Sequence, residues 1–181
     1  MKERTSNGAS RGERGASLIE ILVVMGFVVS MLLLAATYSL PWLGKEDMRS
    51  SVYSVRTYLQ MARMQAVSRN HACQFRVDSS TRSLQVFDLV DPSTSSDDIL
   101  LWQTTLPVKV SFARPDSGSA ITLPVSSGTT YQATFGGDGS VTSSVGSISL
   151  LGGTRYHRVE LYGAGGAKIW NWDGTAWVAG W

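Results

Sequence analysis

The feature that most limits the possible folds is an almost unbroken run of apolar residues over positions 21–40. About twenty apolar residues are what a helix needs to cross the hydrocarbon core of a bilayer. The run is apolar on all sides of a helix, as expected for a segment surrounded by lipid or by copies of itself. We therefore predict a hydrophobic transmembrane helix over residues 16–43, and the remainder of the 181 residues suffices for one modest globular domain.

A single carboxylate, Glu20, stands at the edge of this apolar run. An ionised carboxylate in a membrane helix costs roughly 2.5–3.5 kcal/mol, so it calls for a partner of opposite charge. If the chain is cut after Gly15, the new amino group of Ala16 lies one helical turn before Glu20 and can also meet the carboxylate of an adjacent copy. A secretory signal peptide has the reverse order, because its cleavage site follows the apolar core. The mature protein would therefore keep its apolar helix.

The polar leader over residues 1–15 accounts for the whole excess of basic charge. The chain has 16 Lys and Arg against 14 Asp and Glu, and the leader holds four basic residues, among them Arg11 and Arg14, and two acidic ones. Removal of the leader leaves 12 Lys and Arg against 12 Asp and Glu. A mature chain without net charge is weak support for binding to nucleic acid. Positive charge before the span predicts a cytoplasmic N-terminus.

A second helical pattern follows the apolar run, and we assign residues 44–70 to an amphipathic helix that packs on a sheet. Pro41 lies between the two segments and is expected to kink or loosen the helix, because it withdraws one backbone donor. Arg49, Arg56 and Arg63 recur at steps of seven on one face, either as a solvated flank or as contacts to acidic groups of neighbouring subunits. Apolar residues recur on another face at steps of four and three, and they are Met48, Val52, Val55, Leu59, Ala62 and Ala66.

Residues 71–181 have the texture of a β-rich globular domain, with short apolar or alternating segments between Gly, Ser, Asp and Pro. Turns are predicted at 78–82, 136–139 and 173–174, and exposed loops at 91–98 and 115–127. The fold class is therefore α+β, a long N-terminal helix packed on an antiparallel β-sheet domain. The predicted strands are 72–77, 83–89, 100–104, 108–112, 131–135, 147–151, 157–162, 168–172 and 175–178.

Two tryptophans near the C-terminus, Trp170 and Trp172, alternate on one predicted strand and therefore share a face. The first interpretation is core packing against the apolar stripe of the helix. The second is a contact surface for another subunit, because exposed aromatic residues often anchor interfaces.

Residues that could carry catalytic or metal chemistry are sparse. His71, His157 and Cys73 are too few for a zinc site, and we predict strand-end histidines and a buried thiol. A group of acidic residues could bind calcium, but a solvated loop is the favoured interpretation. No catalytic residue, metal or cofactor is predicted. A membrane-tethered enzyme that uses both histidines stays as a weaker alternative. The acidic residues are Asp88, Asp91, Asp97 and Asp98.

Three parts of the sequence resemble one family. The Gly15/Ala16 junction, Glu20 and the apolar run resemble the class III leader of type IV prepilins and type II secretion pseudopilins. The segment LQMARMQAVSRN at 59–70 resembles the helix end of minor pseudopilins of the GspH/FimT (FimU) family. The third part resembles the C-terminal sheet of the same family. It consists of FGGDGS at 135–140, then ISL and RVELY, and then Gly165 and Lys168.

The resemblance implies a type IV pilin-like fold and a minor pilin or pseudopilin without enzymatic activity or cofactor. It implies cleavage after Gly15 by a prepilin peptidase, N-methylation of Ala16, and assembly near the tip of a filament through the helix and Glu20. The filament is a type II secretion pseudopilus or a type IV pilus. The partners would be other pilin-like subunits and an assembly platform in the bacterial inner membrane, with the C-terminal domain in the periplasm.

A DNA-binding minor pilin for natural transformation is the alternative function. Some DNA-uptake members of the family carry a Gly-Arg-x-Arg motif near the C-terminus. This chain has Gly165-Gly166-Ala167-Lys168 there, without arginine. The DNA-binding role is therefore not carried over, and nucleic acid is not expected as a partner.

Overall fold

The structure, a computed structural model, describes residues 17–90 and 97–180, and no side chain is described over 36–45. The chain divides into two compact units, Met1–Pro41 and Trp42–Trp181. One helix and ten strands are assigned in the described residues. The strands are β1 (Cys73–Asp78), β2 (Ser83–Asp88), β3 (Ile99–Thr105), β4 (Val110–Phe112), β5 (Val125–Ser127), β6 (Thr130–Phe135), β7 (Ser147–Gly152), β8 (Arg155–Leu161), β9 (Ala167–Trp172) and β10 (Trp177–Ala179).

The helix α1 spans Leu18–Arg69, 52 residues. It begins where the carbonyl of Ser17 accepts hydrogen bonds from the backbone amides of Glu20 and Ile21. Its last residue is Arg69. Asn70, which follows, has a left-handed φ of 50° that is common at helix ends, and the amide of His71 donates to the carbonyl of Ala66 at 3.0 Å. This one helix covers most of the two segments predicted as helical, 16–43 and 44–70. The helical assignment also continues through Pro41.

The strands form two antiparallel sheets of five strands each. The first sheet has the order β3-β2-β1-β6-β5 and the second has the order β10-β9-β8-β7-β4. Each sheet is built largely from strands that follow one another in the chain, such as β1 with β2 and β7 with β8 with β9. The α+β, pilin-like fold class is confirmed, and the sequence pattern alone had not indicated that the strands divide into two sheets.

The buried core of the second unit joins the helix to both sheets in one apolar cluster. All six residues of the predicted helix stripe are at most 3% exposed, which confirms that prediction. Phe75, Val77 and Phe135 line the first sheet, and Ile148 and Val159 line the second. Full burial of one such side chain stabilises the folded state by about 1.5–3 kcal/mol.

The predicted loop at 115–127 is wrong in part, because the chain there completes both sheets. Ile121 and Leu123 are each 4% exposed, and Ile121 bridges to Ile148 of β7. Single apolar residues among Ser, Gly and Pro show no periodicity, so no local pattern indicates that they are buried. The strand predicted at 108–112 begins only at Val110, because residues 108 and 109 form a turn closed by the bond from the Val110 amide to the Pro107 carbonyl.

Candidate assembly helix and contact surfaces

The first part of α1 is an exposed apolar helix. Leu18–Ala35 is long and apolar enough to cross a membrane, by length and composition, and all of its side chains are exposed. Ser30 satisfies its own hydroxyl by donating to the carbonyl of Gly26 at 2.8 Å, as serine does inside apolar helices. Glu20, in the first turn, is the one ionisable side chain of this segment.

The predicted processing residues lie next to this segment and outside the described residues. They are Gly15, Ala16, Arg11 and Arg14, and their roles stay predictions. Among the described residues, the carbonyl of Ser17 already accepts the first helical hydrogen bonds. Glu20 is therefore held within one turn of the helix start, where a negative side chain is favourably placed against the positive end of the helix dipole.

Arg63, one of the three arginines in the predicted row, contacts the protein's own sheet domain. Its Nε donates to the carbonyl of Gly139 at 3.1 Å, in the turn after β6. Gly165, in the turn between β8 and β9, lies against the same carbonyl with a φ of +79°. A Cβ added there would come within 2.8 Å of the Arg63 Nε. Arg63 thus joins the helix to a turn of each sheet, and close approach of the backbones requires glycine at 165.

The other two arginines of the row have different surroundings. The guanidinium of Arg49 lies 5.8 Å from the centre of the Tyr53 ring, and Arg49 is exposed. Arg56 is half-buried, and its Nε is buried without a hydrogen-bond partner among the described residues. The row is therefore not a uniform solvated flank. Subunit contacts by Arg49 and Arg56 stay a prediction.

The prediction of core packing for Trp170 and Trp172 is wrong. Their neighbour Ile169 is the residue of β9 that enters the core, at 2% exposure, and the two tryptophans alternate with it on the outer face. Lys168 lies two positions before Trp170, so it shares the strand face of the two tryptophans. That charged residue was the sequence signal for the outer face, because a lysine is almost never fully buried.

Cations lie over two tryptophans of this outer face, Trp170 and Trp177. The Arg158 guanidinium lies 4.7 Å from the ring centre of Trp177 and 5.7 Å from that of Trp170, and the Lys168 ammonium lies 4.3 Å from that of Trp170. The rings of Trp172 and Trp177 meet edge to face at 5.4 Å. Such contacts hold the cations in place. The outer face of the second sheet is thus aromatic and basic, and its contact with another subunit stays a prediction.

A polar cluster that sequence reasoning missed closes the end of the helix. Asp88 is 4% exposed, pairs with the Arg69 guanidinium, and lies 2.9 Å from the Nδ1 of His71. The Nε2 of His71 lies 3.0 Å from the carbonyl of Val90. The hydrogen bond with Asp88 raises the pKa of His71 above its usual value. The predicted buried thiol is confirmed, and burial raises the pKa of Cys73 to about 11.

The second histidine has the opposite electrostatics. His157 lies inside β8 at 8% exposure, with its Nδ1 against the Oδ1 of Asn171. Burial lowers its pKa below the usual value. His71 lies in the bend between α1 and β1, whereas His157 lies in β8 of the second sheet, and the two histidines contact different partners. His157 lies within its strand and not at its end, which differs from the prediction.

Two of the four carboxylates considered for calcium are paired with basic groups, whereas the Oδ1 of Asp97 is buried without a hydrogen-bond partner among the described residues. Asp88 pairs with Arg69 and His71, Asp98 pairs with Arg76, and Asp91 lies outside the described residues. Over residues 17–90 and 97–180, no group of three His, Cys, Asp or Glu side chains is arranged to hold a metal ion. A buried carboxylate that already has a cationic partner gains little from a second one.

Comparisons with known proteins place these features in one family. The family model described as "Type II transport protein GspH" matches residues 52–165. A search of curated proteins returns no match. The type IV minor pilin FimU of Pseudomonas aeruginosa is 12% identical, with a TM-score of 0.50 and coverage of 74% of this chain and 94% of that one. At that identity the likeness shows the fold alone.

The minor pseudopilin EpsH from the type 2 secretion system of Vibrio cholerae is 17% identical, with a TM-score of 0.49 and coverage of 67% of this chain and 94% of that one. The family assignment rests on the family model, because it spans more than half of the chain, from the buried helix stripe to the Gly165 turn. This chain therefore belongs to the GspH family of minor pseudopilins and minor pilins, which are structural pilin-like subunits.

Proposed function

We propose that the protein is a minor subunit near the tip of a type II secretion pseudopilus or a type IV pilus. A prepilin peptidase removes the leader after Gly15 and methylates the new N-terminus at Ala16. The mature chain is anchored in the bacterial inner membrane by its apolar helix, with its N-terminus toward the cytoplasm and its sheet domain in the periplasm. The assembly platform then extracts it into the filament.

Family membership implies assembly with other pilins in a pseudopilus or pilus, and the apolar helix together with the family indicates a membrane-anchored pilin. The observation that carries the proposal is the exposed apolar helix with one carboxylate in its first turn. Apolar side chains that are exposed along the whole of Leu18–Ala35 need a cover, which lipid provides before assembly and neighbouring helices provide after it.

Glu20 selects the position of the neighbour in this proposal. An ionised carboxylate among packed apolar helices is costly unless a cation meets it. The amino group of Ala16, created by cleavage, is such a cation, and the Glu20 of one subunit pairs with the Ala16 of the next. Assembly therefore depends on cleavage and on the carboxylate, whereas membrane insertion depends on neither.

The test is Glu20→Gln in the full-length protein, expressed in cells that assemble the filament. We expect the variant to insert into the inner membrane like the wild type, because a neutral amide is cheaper in lipid, and to be lost from sheared filaments. Glu46→Gln is the matched control, since Glu46 is an exposed carboxylate of the same helix outside the apolar segment. N-terminal sequencing of the mature protein should begin at Ala16. Normal incorporation of Glu20→Gln would overturn the proposal.

The comparisons do not favour the DNA-binding alternative. The rings of Trp170 and Trp177 are covered by Arg158 and Lys168, so this part of the face does not form an open platform for stacking on bases. We expect that the purified full chain retards no DNA in a gel-shift measurement at low salt.

A further inference from the structure

The four edges of the two sheets differ in length. β4, β5 and β10 each contain three residues and end their sheets with short edges. The fourth edge is β3, with seven residues, which pairs with β2 on one side and with no strand of the described residues on the other. Short edge strands are one way in which proteins prevent unwanted pairing. β3 lacks this protection.

β3 also lacks the side chains that normally protect a long edge. It contains no charged residue and no proline over Ile99–Thr105. Three large apolar side chains are exposed there: Ile99 at 51%, Leu100 at 45% and Trp102 at 37%. A long apolar edge with open backbone donors and acceptors is a template for another extended chain.

The rest of the structure holds β3 in place. Asp98, just before the strand, is a buried carboxylate paired with Arg76 of β1, and the Arg76 guanidinium lies 4.2 Å from the centre of the Phe87 ring of β2. Leu101 packs against the core. The edge is therefore formed before any partner arrives, which lowers the entropy lost on binding.

We propose that a neighbouring pilin-type subunit adds an extended, uncharged segment to the free edge of β3 and continues the first sheet across the subunit boundary. Backbone hydrogen bonds supply the attraction, and the apolar side chains of β3 favour a partner strand without charges. This inference rests on the proposed function, because packed N-terminal helices hold neighbouring subunits at an effective concentration on the order of millimolar. At that concentration a seven-residue edge suffices for pairing.

The experiment places a photo-cross-linking amino acid, p-benzoylphenylalanine, at Trp102 of the full chain in cells that assemble the filament. The control places it at Val108, which is more exposed, at 80%, and lies in a turn outside the edge. We expect Trp102 to give a cross-link whose mass and peptides identify a different pilin-type subunit, in about tenfold higher yield than Val108. Equal yields, or a cross-link only to a second copy of this chain or to a protein of another class, would overturn the proposal.

A charge on the edge gives an independent test. Leu100→Lys should lower the cross-link from Trp102 about tenfold, because a lysine on the edge opposes strand addition. Val108→Lys should leave it unchanged. Unaltered thermal unfolding of both variants shows that the sheet domain is intact. If Glu20→Gln abolishes filament incorporation while Leu100→Lys leaves the cross-link unchanged, the edge proposal fails and the proposed function stands.

Discussion

The two parts of helix α1 have opposite relations to their surroundings. Over Leu18–Ala35 the apolar side chains are exposed on all sides, and Leu33 is 65% exposed. Beyond Glu46 one stripe of apolar residues is buried by the sheets, and Leu59, within it, is 2% exposed. The same residue type in the same helix is therefore buried by the chain itself in one part and left for lipid or other subunits in the other.

This difference separates folding from assembly. The second unit contains the described core, so its stability depends on contacts within the chain. The exposed apolar part contributes no buried side chain to that core. In the proposed function its apolar surface is buried in lipid or in the filament instead. Substitutions in the two parts should therefore affect different measurements, and the following predictions test how complete the separation is.

The largest effect is expected at the contact between Arg63 and the two turns. Gly165→Ala places a Cβ against the Gly139 carbonyl and the Arg63 Nε at a φ of +79°, which should destabilise the second unit by about 4 kcal/mol or more. Gly166→Ala is the control, because a Cβ there meets nothing within 4 Å. Denaturant unfolding of the full chain in detergent, followed by tryptophan fluorescence, measures both. Wild-type stability of Gly165→Ala would contradict the prediction.

Substitution of one leucine in each part of α1 tests directly whether the exposed and the buried part act separately. Leu59→Ala should lower the free energy of unfolding by about 2–5 kcal/mol, because it leaves a cavity in the core. Leu33→Ala should change it by less than about 0.5 kcal/mol, as expected for an exposed position. All six tryptophans lie at or after residue 42, so their fluorescence reports on the second unit. A comparable loss in both variants would show that the two parts of α1 do not act separately.

The smallest effect concerns pH within the second unit. The raised pKa of His71 means that its stabilising contact is fully present below about pH 6.5 and is lost as the pH rises through the folded-state value. The lowered pKa of His157 has the opposite consequence, because stability is lost as the pH falls below about 6.5. In the wild type the two contributions to the pH dependence of stability have opposite signs.

Variants of each histidine separate the two contributions. His71→Gln should lose more stability at pH 5.5 than at pH 8, since it removes the charged contact with Asp88. His157→Gln should make stability fall less as the pH is lowered from 8 to 5.5. Unfolding curves at both pH values check this pair. If the two substitutions change the pH dependence of stability in the same direction relative to the wild type, the assignment of one of the histidines is contradicted.

The sequence by itself determined the features that depend on neighbours along the chain. The apolar run, the position of Glu20 and the stripe from Met48 to Ala66 are local patterns, since the period of a helix fixes which residues share a face. Most strands were predicted within a few residues of their observed bounds, because alternation and turn residues are also local. The likeness of the leader junction to prepilins required only a short segment.

Only the tertiary structure decided which distant segments meet. The division of the strands into two sheets, the burial of Ile121 and the outward direction of Trp170 all depend on pairing between strands that are far apart in the chain. Arg63 and Gly139 are 76 positions apart, and Asp88 meets His71 across a hairpin. No local pattern encodes such contacts, because the free energy that selects them comes from packing the whole core at once.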